Sequence, residues 1–287
     1  MNSLISKFRI FLKRYMPKVY NSTLPLRNFL YKKIYLKKSD INIIETFEEF
    51  APNVSGDVDL KIENTIYNIK NFTSSLDSLI NLQEEIIQLN NLAENSDTEL
   101  SRLLKEYGSD KKALQYDLIY SKIFKEIKDF TLLIEIGIGT NNEDILSNMS
   151  KFGKPGASLR AFRDYLQTVE IVGLEYDKTV LFEEAGIKTF YYDQNDNECV
   201  ESFSNKYFEL ADILIDDGLH SLVANINSIN LASKILKPEG YLIIEDISLK
   251  SVQIYVTVFK LVENLFTFNL YTNNSSVIAV LKKISQK

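Results

Sequence analysis

Leu132-Leu133-Ile134-Glu135-Ile136-Gly137-Ile138-Gly139-Thr140 is an apolar run that ends in an acid and two glycines spaced G-x-G. A short continuous apolar run bounded by glycines reads as a parallel strand buried on both faces that stops at a tight turn. Without a Cβ, Gly137 and Gly139 let the backbone approach a ligand closely. Three later apolar runs also end in acids: Ile171–Glu175, Ala211–Asp217 and Tyr241–Asp246. Acids at the C-terminal tips of successive parallel strands face one crevice, the place where open α/β sheets bind ligands.

From Phe130 onward, strand and helix patterns alternate, which predicts a mostly parallel sheet. Helices are expected over Leu159–Leu166, capped by Ser158, over Cys199–Phe203, over Leu222–Leu236 and over residues 250–264. Lys237-Pro238-Glu239-Gly240 reads as a turn, and Leu265–Tyr271 with Ser276–Leu281 as a C-terminal antiparallel hairpin.

The first hundred residues differ in character. Residues 1–39 hold ten Lys or Arg and no acid, although the whole chain of 287 residues carries a formal charge of −6. The rest therefore carries −16. Leu4, Ile5, Phe8, Phe11, Phe29, Tyr31 and Ile34 lie among these cations. The mixture predicts a peripheral anchor on anionic lipid at the inner membrane surface, or a basic helix packed on an acidic protein surface, including a second copy of this chain. Nucleic acid is disfavoured because no recognition module accompanies the charge. A helix with one apolar face is expected over about 72–92. The expected division is thus a helical N-terminal region, 1–104, and a ligand-binding domain, 105–287. No apolar run is long enough to span a bilayer, and the single cysteine, Cys199, excludes an intrachain disulfide framework and suits a cytoplasmic protein.

Two constellations carry chemistry. Glu175, at the end of the second strand, can hold the ribose hydroxyls of an adenosine-containing ligand. Glu135, just before the glycine turn, would repel a pyrophosphate and attract an ammonium group. Adenosine, ribose and an ammonium together describe S-adenosylmethionine. The incomplete glycine turn disfavours a nicotinamide cofactor. The second constellation is Asp216-Asp217-Gly218-Leu219-His220, with Glu245-Asp246 on the neighbouring strand. Four carboxylates at adjacent tips repel one another unless a cation lies between them, and oxygen ligands suit Mg²⁺ or Mn²⁺. His220, the sole histidine, is expected to begin the helix that follows and is either a general base or a structural hydrogen bonder. Tyr107-Gly108-Ser109-Asp110-Lys111, followed by Tyr116 and Tyr120, ends a helix, or covers the crevice with Lys111 and tyrosines near the ligand.

Taken together, Glu135–Gly139, Gly156–Arg160 with Asp164-Tyr165, Gly173–Asp177, Asp193–Asp196, Ile215–His220, Leu236–Gly240 and Glu245-Asp246 resemble class I S-adenosylmethionine-dependent methyltransferases. More narrowly they are similar to the macrolide-sugar O-methyltransferases of the macrocin and mycinamicin type and their relatives in surface-glycan clusters. Tyr107–Lys111 resembles the Y-G-T-D-K that precedes the domain there. The resemblance covers roughly residues 105–285. It implies a Rossmann-like, seven-stranded, mostly parallel sheet with a C-terminal antiparallel hairpin. It implies an enzyme that methylates a hydroxyl of a sugar-containing acceptor. In cofactor binding it implies roles for Glu135, Gly137, Gly139, Glu175, Asp193, Gln194 and Lys111. Asp216, Glu245 and Asp246, with Asp217 in reserve, would hold Mg²⁺ (or Mn²⁺), and His220 would be the base, with Asp216 beside it in catalysis. There are two departures: Lys112–Gln115 stand where a histidine often follows Y-G-T-D-K, and Glu175 replaces the commoner Asp. A catechol or phenol acceptor, or a non-catalytic cofactor-binding subunit, are the competing expectations.

Overall fold

In a computed structural model, the structure describes residues 86–95, 98–145, 147–149, 151 and 153–285. The basic stretch 1–39 and the expected helix over 72–85 lie outside these residues. The last part of that expected helix is extended instead. Ile86–Gln88 forms strand β1, and a 3-10 segment follows over Leu89–Asn95.

The remaining elements follow in chain order. They are α1 (Thr98–Tyr107), α2 (Asp117–Glu126), β2 (Leu132–Ile136), α3 (Ala157–Leu166), β3 (Glu170–Glu175), β4 (Glu183–Glu184), β5 (Ile187–Tyr191), α4 (Asn197–Lys206), β6 (Ala211–Asp216), α5 (Leu222–Ile235), β7 (Leu236–Ser248), α6 (Val252–Leu261), β8 (Phe266–Thr272) and β9 (Ser276–Lys283). They build one sheet in the order β1-β8-β9-β7-β6-β2-β3-β5-β4. The strands from β7 through β6, β2 and β3 to β5 all pair in parallel, and β9 inserts antiparallel between β7 and β8. The seven-stranded plan with its C-terminal hairpin is therefore present. Two short edge strands extend it: β1 pairs parallel with β8, and β4 antiparallel with β5.

Helices cover both faces because the central strands carry apolar residues on both of their faces, so each face must be buried. Leu132, Ile134, Leu214, Leu242 and Ile244 pack against α4, α5 and α6. Leu133, Ile213, Ile215, Tyr241 and Ile243 pack against α1, α2 and α3. Leu89, Leu100, Leu103 and Leu104 belong to this second core, so the packed fold begins upstream of residue 105.

Three local expectations need correction. Ser158 does not cap α3; the cap is Gly156 at φ +71°, and Ser158 turns inward. His220 is not the first residue of α5; Ser221 is its N-cap, accepting from the Ala224 amide. Lys237–Gly240 lies within the bounds of β7, where pairing with β6 slips from Ala211↔Leu236 to Ile213↔Tyr241. A second irregularity lies between Ile244 and Ile247, where three steps on β7 oppose two on β9. One extra residue in one strand is a β-bulge, which re-aims side chains. Glu245 and Asp246 occupy that bulge.

Candidate active site

The crevice at the C-terminal ends of β2, β3, β6 and β7 is built from strand parity. Alternate residues of a strand point to opposite faces. Glu135 follows Leu133 and Glu245 follows Ile243, so both face the α1–α3 layer. Asp217 continues the parity of Ile213 and Ile215 and reaches the same side. Asp216 follows Leu214 and faces α5.

Lys111 fills the space between these acids. It sits in a 3-10 turn, Asp110–Lys112, capped by Ser109, whose hydroxyl accepts from the Lys111 amide. Its ammonium is 1% exposed and stands 2.6 Å from Asp217 Oδ2, 2.7 Å from Glu245 Oε2 and 3.2 Å from Glu135 Oε1. Burial alone would lower its pKa, but the carboxylates of Asp217, Glu245 and Glu135 outweigh burial and hold it well above its ordinary value. Burial pushes the carboxyls of Glu135, Asp217 and Glu245 upward, and Lys111 opposes that rise. Ser158 donates to both oxygens of Glu135, at 2.9 and 2.8 Å. Tyr120 donates to Glu245 Oε1. Lys111 thus meets Glu135 of the expected cofactor pocket and two acids expected around the metal.

A second group stands beside it. One donor atom each from Asp217, His220 and Asp246 lie within 4.8 Å of one another. His220 Nε2 is 3.8 Å from Asp217 Oδ1, the oxygen that Lys111 leaves free. Tyr116 donates to Asp246 Oδ1 at 2.5 Å and also contacts the Ser276 hydroxyl. His220 Nδ1 is buried and has no partner among the described residues. His220 and Asp246 have φ of +51° and +54°. Left-handed backbone is uncommon away from glycine and marks residues that their surroundings hold in place. Carboxylate oxygens suit a hard divalent cation, so Asp217 and Asp246 fit Mg²⁺ or Mn²⁺, with the His220 imidazole beside them.

The glycine turn is cut to fit its neighbours. At Gly137, φ +83°, an added Cβ would lie 2.1 Å from the Asp217 carbonyl oxygen, so the turn and the Asp217 loop touch backbone to backbone. Met149, from the loop after the turn, lies against Gly139 and Gly153. Glu175 Oε2 accepts from the amides of Ile138 and Gly139, both at 3.1 Å, and Oε1 accepts from the Asp177 amide at 3.0 Å. A carboxylate has about four lone-pair sites, so Glu175 has room for one further donor such as a ribose hydroxyl. With Glu135 alongside, this cradle fits an adenosine-type ligand that carries a cation.

Not every expected residue joins the crevice. Asp216 is fully buried, with Oδ1 accepting from Gln194 Nε2 at 2.8 Å and Oδ2 from Asn225 Nδ2 at 2.7 Å. It stands apart from the Asp217, His220 and Asp246 donor atoms. Glu245 is committed to Lys111 and Tyr120. Asp193 is half-buried at the end of β5, with Oδ1 on the Asn195 amide at 2.8 Å. Gln194 turns inward to Asp216 instead of lining the crevice beside it. The covering segment brings Tyr116 and Tyr120 to the same strand tips. Both are wholly buried; Tyr116 is the N-cap residue of α2 and Tyr120 lies one turn on, a spacing that places two side chains on one helix face.

No protein-family model matches the chain. Among curated proteins it is similar to demethylmacrocin O-methyltransferase of Streptomyces fradiae, 30% identical over 129 residues, which is 45% of this chain and 30% of that protein. It is also similar to the 8-demethyl-8-alpha-L-rhamnosyl tetracenomycin-C 2'-O-methyltransferase of Streptomyces olivaceus, 25% identical over 150 residues, 52% of this chain and 37% of that protein. The chain therefore spans only 30% and 37% of the two relatives' lengths. Among solved structures, MycE methyltransferase from the mycinamycin biosynthetic pathway in complex with Mg and SAH aligns with TM-score 0.53 at 22% identity, over 66% of this chain and 56% of that one. The same enzyme with Mg, SAH and mycinamycin VI aligns with TM-score 0.53 at 20% identity, over 65% and 53%. The chain has the Rossmann-like fold of class I methyltransferases, and its motifs set it beside the O-methyltransferases of the macrocin and tetracenomycin type.

Proposed function

We propose that this chain is an O-methyltransferase that moves a methyl group from S-adenosylmethionine to a hydroxyl of a sugar-containing acceptor, with a divalent cation, Mg²⁺ or Mn²⁺, at the acceptor side. The observation that carries the reading is one crevice. It joins the Glu135 and Glu175 cradle at the glycine turn to the Asp217, His220 and Asp246 donor set through Lys111. The sugar acceptor is supported by the relatives: one is an 8-demethyl-8-alpha-L-rhamnosyl tetracenomycin-C 2'-O-methyltransferase, and one structure holds mycinamycin VI.

Each residue has a task. Glu135 and Glu175 would receive the ammonium and a ribose hydroxyl. Asp217 Oδ1 and Asp246 would hold the ion, and Tyr116 orients Asp246. When bound, the cofactor would supply an electrophilic methyl, and an ion held by Asp217 and Asp246 would lower the pKa of a hydroxyl beside it. His220, with Nε2 turned to that place, takes the hydroxyl proton. A positioned base contributes about 10²–10⁴-fold. Holding the acceptor oxygen in line with the methyl supplies much of the remaining acceleration. Asp216 has no direct part in this scheme, because both its oxygens serve amide side chains of the fold.

The test is methyl transfer from labelled S-adenosylmethionine to a panel of glycosylated acceptors and catechols. Sugar methylation that falls about 10²–10⁴-fold in His220→Ala, with cofactor binding retained, is the expected outcome. Transfer to catechols alone would replace the sugar reading. A His220→Ala protein that turns over at the wild-type rate would remove His220 from the chemistry.

A further inference from the structure

Resting on the methyltransferase reading, we infer that Gln194 is a positioning residue: braced by Asp216 and Ser228, its side-chain carbonyl holds the Leu219 amide and so fixes the loop that presents Asp217 and His220.

The loop from Asp216 to Ser221 crosses from β6 to α5 with the two candidate site residues on either side of Gly218-Leu219. Four contacts define its path. The Asp217 amide donates to the Ile136 carbonyl at 2.9 Å, at the end of the neighbouring strand. The Gly218 amide reaches Asp216 Oδ1 at 3.3 Å, a weak bond. Ser147 donates to the Gly218 carbonyl at 2.5 Å from the exposed side. The Leu219 amide donates to Gln194 Oε1 at 2.9 Å. That last bond is nearest to His220, whose φ of +51° needs support from its neighbours. Gln194 also presses on the loop from below, since a Cβ at Gly218 would lie 2.2 Å from Gln194 Oε1. Glycine at 218 is what admits the glutamine.

Gln194 itself has a single seating. Its Nε2 donates to Asp216 Oδ1 at 2.8 Å and to Ser228 Oγ at 3.2 Å, and its main-chain carbonyl accepts from Asn227 at 2.7 Å. Asp216 is held in turn by Asn225, to which Tyr255 of α6 donates. With Nε2 required by an acid, the carbonyl end must face Leu219, so the amide cannot flip. Every member of this buried network has a partner, and such networks specify one arrangement. The sequence of supports therefore runs from α6 through α5 and Asp216 to Gln194, and from there to the loop. Gln194 touches neither the cradle at the glycine turn nor the Asp217, His220 and Asp246 donor atoms.

The experiment uses the full, untagged chain, in which His220 is the single histidine and gives one imidazole signal in NMR with labelled histidine. Wild type, Gln194→Leu, Gln194→Glu and the double variant Gln194→Glu/Asp216→Asn are compared. The readouts are S-adenosylhomocysteine affinity, Mn²⁺-induced broadening of the His220 signal, and kcat at saturating cofactor. For Gln194→Leu we expect cofactor affinity within about threefold of wild type, weakened broadening, and kcat down by about tenfold or more, the size of one lost hydrogen bond to a positioned group. Gln194→Glu alone sets two acids against each other and should lose the same readouts. The double variant reverses the polarity of that bond and should recover them. If Gln194→Leu does not fold, the comparison of the single and double glutamate variants decides, and no recovery in the double variant overturns the inference. A Gln194→Leu protein with more than tenfold weaker cofactor binding, but unchanged kcat and His220 signal, also overturns it and makes Gln194 a cofactor contact. Failure of wild type to bind S-adenosylhomocysteine defeats the methyltransferase reading alone, because the His220 signal still reports on the loop.

Discussion

Lys111 shows how much one side chain can decide in a low-dielectric site. Three carboxylates, Glu135, Asp217 and Glu245, meet behind the glycine turn, and their mutual repulsion is offset by one buried ammonium. Removing one partner of a buried ion pair costs about 3–5 kcal/mol, because the remaining charges stay buried and uncompensated. Lys111→Met should therefore lower the melting temperature sharply at neutral pH, and millimolar Mg²⁺ should restore part of the loss by occupying the vacated charge. A variant as stable as wild type, with or without Mg²⁺, would show that the ammonium is not what holds these acids together. At this scale much was legible in the sequence. The acids, the histidine and Lys111 could all be named, but spacing alone did not say which of Asp216 and Asp217 faces the crevice. Strand parity does, counted from Ile213 and Ile215 into the α1–α3 core. The seating of Gln194 was not legible for a related reason: it depends on Asn225, Ser228 and Tyr255, which lie more than thirty residues away in the chain.

Among elements, the joints between strand ends and turns carry the candidate site. Asp177, just beyond β3, accepts from the Thr140 hydroxyl at 2.6 Å and from the Thr179 amide and hydroxyl at 2.9 and 2.6 Å. It thereby ties the strand that ends in Glu175 to the residue after the glycine turn. The Thr140 and Thr179 bonds hold its carboxyl below the usual carboxylate range. A lowered folded-state pKa gives stability that is present above the unfolded value, about 3.9, and is lost as pH falls through the folded value. Thermal melts from about pH 6 to pH 2.5 should then show Asp177→Asn less stable at the upper end and with a shallower acid loss. Parallel melting curves would mean that these bonds contribute nothing. Strands, helices and the hairpin were readable from apolar runs and turn residues. The bulge at Glu245-Asp246 was not, because it arises from register against β9, a strand some thirty residues later. Nor was β1, whose three residues gain their strand character only from pairing with β8.

For the whole molecule, the sheet order places β2 between β3 and β6, so the glycine turn stands between the Glu175 tip and the Asp217 loop. In the proposed function that position makes a common α/β scaffold into a two-ligand crevice, with the ribose side at β3 and the ion side at β6 and β7. The α1–α2 segment closes it from one side, with Lys111, Tyr116 and Tyr120 reaching into the strand tips. No helix of the described residues is long and apolar enough to cross a membrane. Calorimetric titration of the full chain with S-adenosylhomocysteine, in Mg²⁺ and again in chelator, bears most directly on the crevice. We expect one site per chain, with an affinity on the order of micromolar and a heat that changes when the ion is withdrawn. Absence of binding in both conditions would contradict the assignment of Glu135, Gly137, Gly139 and Glu175 to a cofactor cradle, and the methyltransferase function with it.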